Sequence, residues 1–273
     1  MIRFFALYLP FILAYGTTWS WMWRTWHFRD GYYEHAPLVV GLAGLLVWRL
    51  RHRLAALPHR TELAGWWLLA PALLGHLAAS ALLIDSLSAA SLILGVPGLA
   101  WLAHGSARLR LLLPVLGLVL FVVPMPLVVS GNLAFELKEI AVEIGLDIAN
   151  LLGVGAKRTA AEIAIAGQTE TLFVADSCSG LRTLVSLTTL GYCLAFFLGE
   201  QRGARRWVLV LLAAPIAIFT NALRIGAICV LARYFGVRYA STTGHDLANV
   251  IAWVVDLSLL LLADALLTRR KRA

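Results

Sequence analysis

The run WVLVLLAAPIAIFTNALRIGAICV, residues 207–230, decides the class of fold. It holds one charged side chain, Arg224, and as an α-helix it would rise about 36 Å, enough to cross the roughly 30 Å hydrocarbon core of a bilayer. A helix of this length on the surface of a soluble domain would need a polar face, which this run lacks. It therefore predicts a transmembrane helix with Asn221 and Arg224 toward one end.

The rest of the chain repeats this pattern. Of its 273 residues, 60% are hydrophobic and 14% are charged, and that charged share is about half that of a soluble domain. We predict an all-α polytopic membrane protein, a single domain over residues 1–273, with about eight transmembrane helices and a small extracytoplasmic amphipathic helix and β-hairpin. The predicted spans are 4–23, 35–48, 63–83, 86–103, 111–130, 178–198, 207–230 and 247–267.

The positions of the basic residues predict the orientation. A net charge of +8 could suggest nucleic-acid binding, but 14 of the 23 lysines and arginines fall in alternate connections, beside only Glu62 and Glu200. The positive-inside rule places these connections and both termini in the cytoplasm, so we expect a multi-pass protein of the cytoplasmic (inner) membrane. The lipid bilayer is the expected partner, and nucleic acid is not. The fourteen are Arg3, Arg49, Arg51, Arg53, Arg60, Arg108, Arg110, Arg202, Arg205, Arg206, Arg269, Arg270, Lys271 and Arg272.

One long connection, residues 130–177, is expected outside the membrane as an insertion before the helix that starts near Cys178. Apolar residues recur at helical spacing over 133–152, which indicates an amphipathic helix on the membrane surface or against the bundle. Residues 162–166 and 169–174 then alternate with period two across Gly167-Gln168, which predicts a hairpin. Upstream, Pro124-Met125-Pro126 should disrupt the end of the fifth span.

The sequence holds three cysteines and no CxxC spacing, so we expect neither a metal site nor a cofactor. Cys193 and Cys229 fall inside apolar spans and are expected to be buried hydrophobic residues. Cys178 differs, because it stands in Asp176-Ser177-Cys178-Ser179-Gly180-Leu181-Arg182, just before a helix. The helix dipole and the charge of Arg182, one turn on, would both stabilise a thiolate, while Ser179 and Gly180 leave its approach open. The alternative is a free cysteine at a helix end.

Two further polar residues are predicted at the same side of the membrane. Arg224 would lie just below the outer surface, where it should face the bundle and have a partner, with Asn221 one turn earlier to hold it. The alternative is an arginine that snorkels to the headgroups. His245 precedes the last helix, and Asp246 or Thr242 could orient its ring. Deep in that helix, Asp256 needs an internal partner or a protonated state.

Together these residues predict acyl-transfer chemistry. The Cys178 thiolate would attack a substrate carbonyl, His245 would handle protons, and Arg224 would stabilise the oxyanion. The result is a thioester acyl-enzyme at the outer face. The tryptophans that lead into the first outer loop, 24–36, are typical of an interfacial aromatic belt: Trp19, Trp21, Trp23 and Trp26. Alternatively, Tyr33, Glu34 and His35 help to line a substrate cleft.

The order and spacing of Cys178-Ser179-Gly180-Leu181-Arg182, Asn221-x-x-Arg224 and His245 resemble the exosortase/archaeosortase family of integral membrane transpeptidases. Two weaker likenesses are Tyr33-Glu34-His35-Ala36-Pro37, where Ala36 replaces the usual glycine, and Pro124-Met125-Pro126. The resemblance implies that Cys178, Arg224 and His245 are catalytic. It also implies membrane-anchored protein substrates with a C-terminal tripartite sorting signal: a Pro-Glu-Pro-type motif, a transmembrane helix and a basic cluster. The acidic motif would meet Arg182, Arg224 and Arg158.

Three other functions fit parts of this pattern. A cysteine protease that releases its substrate by hydrolysis would use the same residues and differ only in the acceptor. A transporter would use Arg224 and Asp256 as polar sites, but it would need polar residues at mid-depth and gives Cys178 no role. A non-catalytic assembly protein would be unaffected by loss of the Cys178 thiol.

Overall fold

The computed structural model describes residues 2–28, 31–159, 162–173, 179–199 and 203–269. Cys178, and the end of the predicted second hairpin strand at Val174, lie outside the described residues. The chain divides into two compact units, Met1–Val129 and Ser130–Ala273. That boundary coincides with the predicted start of the outer insertion at residue 130, while the single domain over 1–273 remains a prediction.

The described residues form helices and one small sheet, which confirms the helical membrane fold. The helices are α1 Ile2–Ala14, α2 Gly16–Trp26, α3 Ala36–Ala56, α4 Trp66–Ala81, α5 Asp85–Leu116, α6 Val119–Val122, α7 Leu127–Leu151, α8 Leu181–Cys193, α9 Ala204–Phe235, α10 Val237–Ala240 and α11 Thr243–Arg269. A 3₁₀ turn, Leu63–Gly65, precedes α4, and a π-helical turn, Leu194–Leu198, extends α8.

Five helical segments in the described part of the chain are long and apolar enough to cross a bilayer. They are Leu63–Ala81, Asp85–Val122, Leu181–Leu198, Ala204–Phe235 and Thr243–Thr268. The second would be about 57 Å long at the helical rise, almost twice the bilayer core. It breaks at Gly105, which has φ 80° and ψ 168°, between the predicted spans 86–103 and 111–130. The number of eight spans remains a prediction.

The first predicted span, 4–23, is two helices rather than one. Tyr15, at φ −88° and ψ 17°, separates α1 from α2. Its hydroxyl lies 2.7 Å from Ser91 Oγ, and its ring stacks on His76 with centroids 3.9 Å apart. His76 Nδ1 in turn lies 2.7 Å from Ser88 Oγ. These contacts give the buried polar side chains hydrogen-bond partners that lipid could not supply, and they stabilise the helix break at Tyr15.

The proline motif ends the fifth predicted span earlier than expected. The helix α6 stops at Val122, and the backbone is extended at Val123, as prolines after it require. The Met125 N–H donates to the Tyr33 hydroxyl at 3.0 Å, and the His35 ring forms a hydrogen bond with the Phe121 backbone. Within the first unit, the loop around Tyr33 and His35 therefore packs against the segment that precedes α7.

The predicted amphipathic helix is α7, which begins six residues earlier than expected. Of the two locations left open, it packs against the bundle in the second unit. A Cβ at Gly145 would lie 2.9 Å from the Ala222 carbonyl oxygen, and one at Gly226 would lie 3.0 Å from the Gly145 carbonyl oxygen. Glycines on both helices therefore allow α7 and α9 to approach closely. Ala141, Val142, Ile225 and Ile228 belong to the buried cluster formed there.

The predicted hairpin is confirmed, and a third strand that was not predicted pairs with it. The strands β1 Ala156–Thr159, β2 Glu162–Ile165 and β3 Leu172–Phe173 form an antiparallel sheet in the order β1-β2-β3. The turn between β2 and β3 is longer than the two residues expected. Asn150, near the end of α7, bonds to the first residue of β1: its Nδ2 donates to the Ala156 carbonyl, and its Oδ1 accepts from the Ala156 N–H.

Candidate active site

The start of α8 is shaped by Gly180. This residue has φ 77°, a left-handed conformation that favours glycine, and a Cβ there would lie 2.8 Å from the Asn221 side chain on α9. Ser179 is buried, and its Oγ accepts a hydrogen bond from the Leu181 N–H at 3.3 Å. Asn221 is buried as well. Gly180, two residues after Cys178, is therefore fixed against α9, and the buried Ser179 is tied to the first turn of α8.

Arg224 stands one turn beyond Asn221 on α9, as predicted. Its Nη1 donates to Oδ1 of Asn249, on the second turn of α11, at 2.9 Å. Nδ2 of Asn249 lies 3.2 Å from Nδ1 of His245. The guanidinium and the imidazole predicted to act together are thus joined through one amide, in a chain that links α9 to α11.

Asn249 was missed by the sequence analysis, although a signal was present. Residues 245, 249 and 256 are four and eleven positions apart, which places His245, Asn249 and Asp256 within about 40° of one another around a helix. This makes a narrow polar stripe in the part of the helix from 247 to 257, where the other residues are apolar. An isolated amide in a transmembrane segment carries no chemistry of its own, so only its spacing from His245 could have identified it.

The two predicted candidates for orienting the His245 ring have different surroundings. The Asp246 carboxylate is 87% exposed, and its Oδ1 lies 3.7 Å from His245 Nδ1, beyond hydrogen-bond distance. The Thr242 hydroxyl donates to the Arg238 carbonyl at 2.9 Å. The Asn249 amide is therefore nearer to Nδ1 than the Asp246 carboxylate is, and the Thr242 hydroxyl bonds to the backbone instead.

Asp256 has the internal partner that its depth requires. The Thr220 hydroxyl donates to Oδ1 of Asp256, and both side chains are only 1% exposed. Arg224, one turn from Thr220 on α9, interacts electrostatically with the same carboxylate. A carboxylate in the bilayer is costly unless it is paired, and here two groups of α9 meet that need.

A cavity of about 470 Å³ lies beside Arg224, between α9 and α11. Among its described lining residues, Thr220 and Arg224 are polar and the others are apolar, for example Leu223 and Ile251. The cavity therefore combines an apolar wall with a single cation.

The remaining predicted residues belong to several different elements. Arg182 is partly exposed on the first turn of α8. His35 lies in the first unit beside Tyr33, with the two rings stacked 6.2 Å apart. Arg158 forms a two-bond ion pair with Glu139, with both contacts at 2.6 Å. Within the described residues, no group of three or more His, Cys, Asp or Glu side chains could hold a metal ion.

Comparison with known proteins gives one match. The model of a family described as transmembrane exosortase matches residues 23–262, most of the chain. No curated protein and no solved structure gives a significant match.

Proposed function

The chain belongs to the transmembrane exosortase family, and from this premise we propose that it is a cysteine transpeptidase of the inner membrane. Its substrates are exported, membrane-anchored proteins that end in a tripartite sorting signal of the Pro-Glu-Pro type. The enzyme cleaves near that motif at the outer face of the membrane and transfers the acyl group to an acceptor. Cys178, Arg224 and His245 are its catalytic residues.

The observation that carries this proposal is the hydrogen-bonded chain from Arg224 through Asn249 to His245. It connects a permanent cation on α9 to a proton-transfer group on the first turn of α11. Asn221, one turn from Arg224, contacts the Gly180 position two residues after Cys178. A transporter would not need this convergence beside a cysteine-bearing helix start.

The reaction follows from these groups. His245 takes the proton of Cys178, and the thiolate attacks the carbonyl carbon of the scissile peptide, forming the C–S bond. The electron pair displaced from the carbonyl moves to its oxygen, which the Arg224 guanidinium stabilises. Collapse breaks the C–N bond, and His245 returns the proton to the departing amine. The acceptor then attacks the thioester, breaks the C–S bond and gives its proton to the Cys178 thiolate.

Recognition of the signal uses both charge and apolar surface. The acidic motif meets Arg224 and Arg182, whereas Arg158 already pairs with Glu139. The cavity between α9 and α11 has Arg224 in an apolar wall, so it suits apolar side chains that follow an acidic motif. We therefore assign it to the start of the substrate's transmembrane helix.

The test is co-expression with a candidate tailed substrate, followed by intact mass of the product. Transfer predicts a product that has lost the tail and gained the mass of an acceptor, whereas hydrolysis would add only water. The Cys178→Ala variant should leave the substrate full length while remaining inserted and folded. Normal processing by that variant would rule out the cysteine mechanism.

A further inference from the structure

Asn249 joins the two predicted catalytic groups that the structure describes, and its amide can face each of them in only one way. We propose that Asn249 is a positioning residue, which withholds the proton-accepting form of His245 until Arg224 engages the substrate. The catalytic consequence rests on the proposed function, whereas the arrangement of Arg224, Asn249 and His245 does not depend on Cys178.

The orientation of the amide follows from the chemistry of arginine. A guanidinium can donate hydrogen bonds but cannot accept them. The group of Asn249 that lies 2.9 Å from Arg224 Nη1 must therefore be the carbonyl oxygen, and the NH₂ group must face His245. The opposite orientation would set two donors against each other at the Arg224 contact.

The orientation of the amide in turn selects the tautomer of His245. Because the Asn249 NH₂ group donates, Nδ1 of the ring must accept, 3.2 Å away. A neutral imidazole carries one proton, so this proton lies on Nε2. In that tautomer Nε2 cannot take a proton from a thiol, and Nδ1 is already occupied by the amide.

Engagement of the substrate would remove this restriction. When Arg224 turns its N–H groups toward a substrate carboxylate or carbonyl oxygen, Oδ1 of Asn249 loses its donor. The amide can then rotate by half a turn and accept a hydrogen bond from Nδ1–H. The ring proton moves from Nε2 to Nδ1 with no net change in protonation, and the Nε2 lone pair becomes available to the thiol. The base is thus formed only in the presence of the substrate, which limits unproductive reaction of the thiolate.

The neighbouring carboxylate does not provide the same control. Asp246 Oδ1 is 3.7 Å from Nδ1 and the side chain is 87% exposed, so water competes for it. Were Asp246 the partner, Nδ1 would carry the proton in the resting enzyme. The two arrangements therefore predict opposite tautomers.

The tautomer can be read from the ¹⁵N shifts of His245 in the full-length protein, labelled at histidine and reconstituted in lipid nanodiscs at mildly alkaline pH. His245→Gln identifies the signals by difference. We expect Nδ1 to be unprotonated and Nε2 to be protonated in the wild type. In Asn249→Asp the carboxylate can accept from both neighbours, so Nδ1 should become protonated without any substrate. Arg224→Met should populate the same form, and the control Asp246→Asn should leave the wild-type tautomer unchanged.

Two results would overturn the proposal: a protonated Nδ1 in the resting wild type, or a tautomer that stays the same in both Asn249→Asp and Arg224→Met. Alkylation provides a second readout. The rate at Cys178, followed by peptide mass, should rise about fivefold to tenfold in Asn249→Asp, the value of one hydrogen bond of about 1 kcal/mol. An unchanged rate would contradict the coupling to the thiol. Because the ¹⁵N measurement needs no substrate, its failure is distinct from failure of the transpeptidase function, which appears in the product mass.

Discussion

At the residue scale, the polar side chains near the proposed site could be predicted in part. Arg224 and His245 were identifiable because charged and titratable residues are rare in transmembrane helices and require a reason. Their connection through Asn249 was not predicted. An uncharged amide is a weaker sequence signal than a charged or titratable side chain, and its role depends on which neighbours its oxygen and its NH₂ group contact. Residue types indicate which side chains are candidates for a site, but they do not predict which intermediate group joins them.

Gly180 should not tolerate a side chain. Alanine there would have to adopt φ 77° and would also contact Asn221 at 2.8 Å, so we expect Gly180→Ala to lose thermal stability and substrate processing. The matched control is Gly153→Ala, at φ 78° with nothing within 4 Å, which isolates the conformational cost of about 1–2 kcal/mol. Equal losses in thermal unfolding for the two variants would show that contact with Asn221 is unimportant.

Arg224→Lys should fail to process the substrate although the charge is kept. A lysine ammonium lacks the planar fork with which arginine can hold Asn249 and a substrate oxygen together. Loss of one oxyanion donor typically lowers kcat by about 10²–10³, and we expect a loss of that order in single-turnover cleavage. Arg206→Lys, at the opposite end of α9, serves as the control and should process at the wild-type rate. A near-normal rate for Arg224→Lys would remove Arg224 from the catalytic set.

At the element scale, helices were predicted more reliably than their ends and interruptions. The period of apolar residues identified α7, and an uninterrupted apolar run identified α9. Neither pattern could show the break at Tyr15, which depends on contacts with Ser91 and His76 from other helices. The strand β1, Ala156–Thr159, was missed because Ala-Lys-Arg-Thr has little strand propensity. It forms because its backbone pairs with β2 and because the Asn150 side chain accepts a hydrogen bond from the Ala156 N–H.

The cavity between α9 and α11 offers a test of helix recognition. Ala227→Trp would fill it with an indole and should raise KM for a tailed substrate while leaving Cys178 alkylation unchanged. Leu211→Trp, on the same helix but 71% exposed and outside the cavity lining, is the control and should leave KM unaltered. If both variants bind substrate like the wild type, the transmembrane helix of the signal docks elsewhere.

The ion pair between Glu139 on α7 and Arg158 on β1 should make the sheet sensitive to acid. The hydrogen bonds from Arg158 hold the pKa of Glu139 below its ordinary value. The pair therefore stabilises the sheet fully when the pH is above the ordinary pKa of a glutamate. The stabilisation is lost as the pH falls through the lowered pKa of the folded state. Hydrogen exchange of the β1 amides should therefore accelerate on acidification in the wild type, after correction for intrinsic exchange. In Glu139→Gln, the β1 amides should exchange faster already at neutral pH and should accelerate less on acidification. If the wild type and the variant show the same dependence of exchange on pH, the ion pair does not stabilise the sheet.

At the scale of the whole molecule, composition and charge distribution predicted the membrane class, which the helical structure and the family match confirm. Two compact units were not predicted, although their boundary coincides with the predicted start of the outer insertion at residue 130, because compactness arises from contacts within each unit that apolar runs do not reveal. Membrane spans are also difficult to count from apolar length alone. The segment Asp85–Val122 was predicted as two spans, 86–103 and 111–130, and the break at Gly105 lies between them, whereas length and composition alone count it as one.

The orientation predicted from the basic residues can be checked by cysteine labelling in intact cells. Cysteines introduced at Lys157 and at His59 should react differently with a membrane-impermeant maleimide, in a chain whose native cysteines are replaced by serine. The first, within the predicted outer insertion, should be labelled, and the second should be labelled only after permeabilisation. The reverse pattern would place the proposed site on the cytoplasmic side and exclude exported substrates.

The buried pair formed by Thr220 and Asp256 has a consequence for biogenesis. An aspartate at the centre of a helix opposes insertion into lipid by about 2.5–3.5 kcal/mol on translocon scales. Because its partner lies on α9, we expect α9 to wait beside the insertion machinery until α11 has been synthesised, so that both helices enter the lipid as a pair. A nascent chain that stops before α11 should accordingly be degraded by membrane quality control, whereas replacing Asp256 with leucine should let the last helix enter unaided.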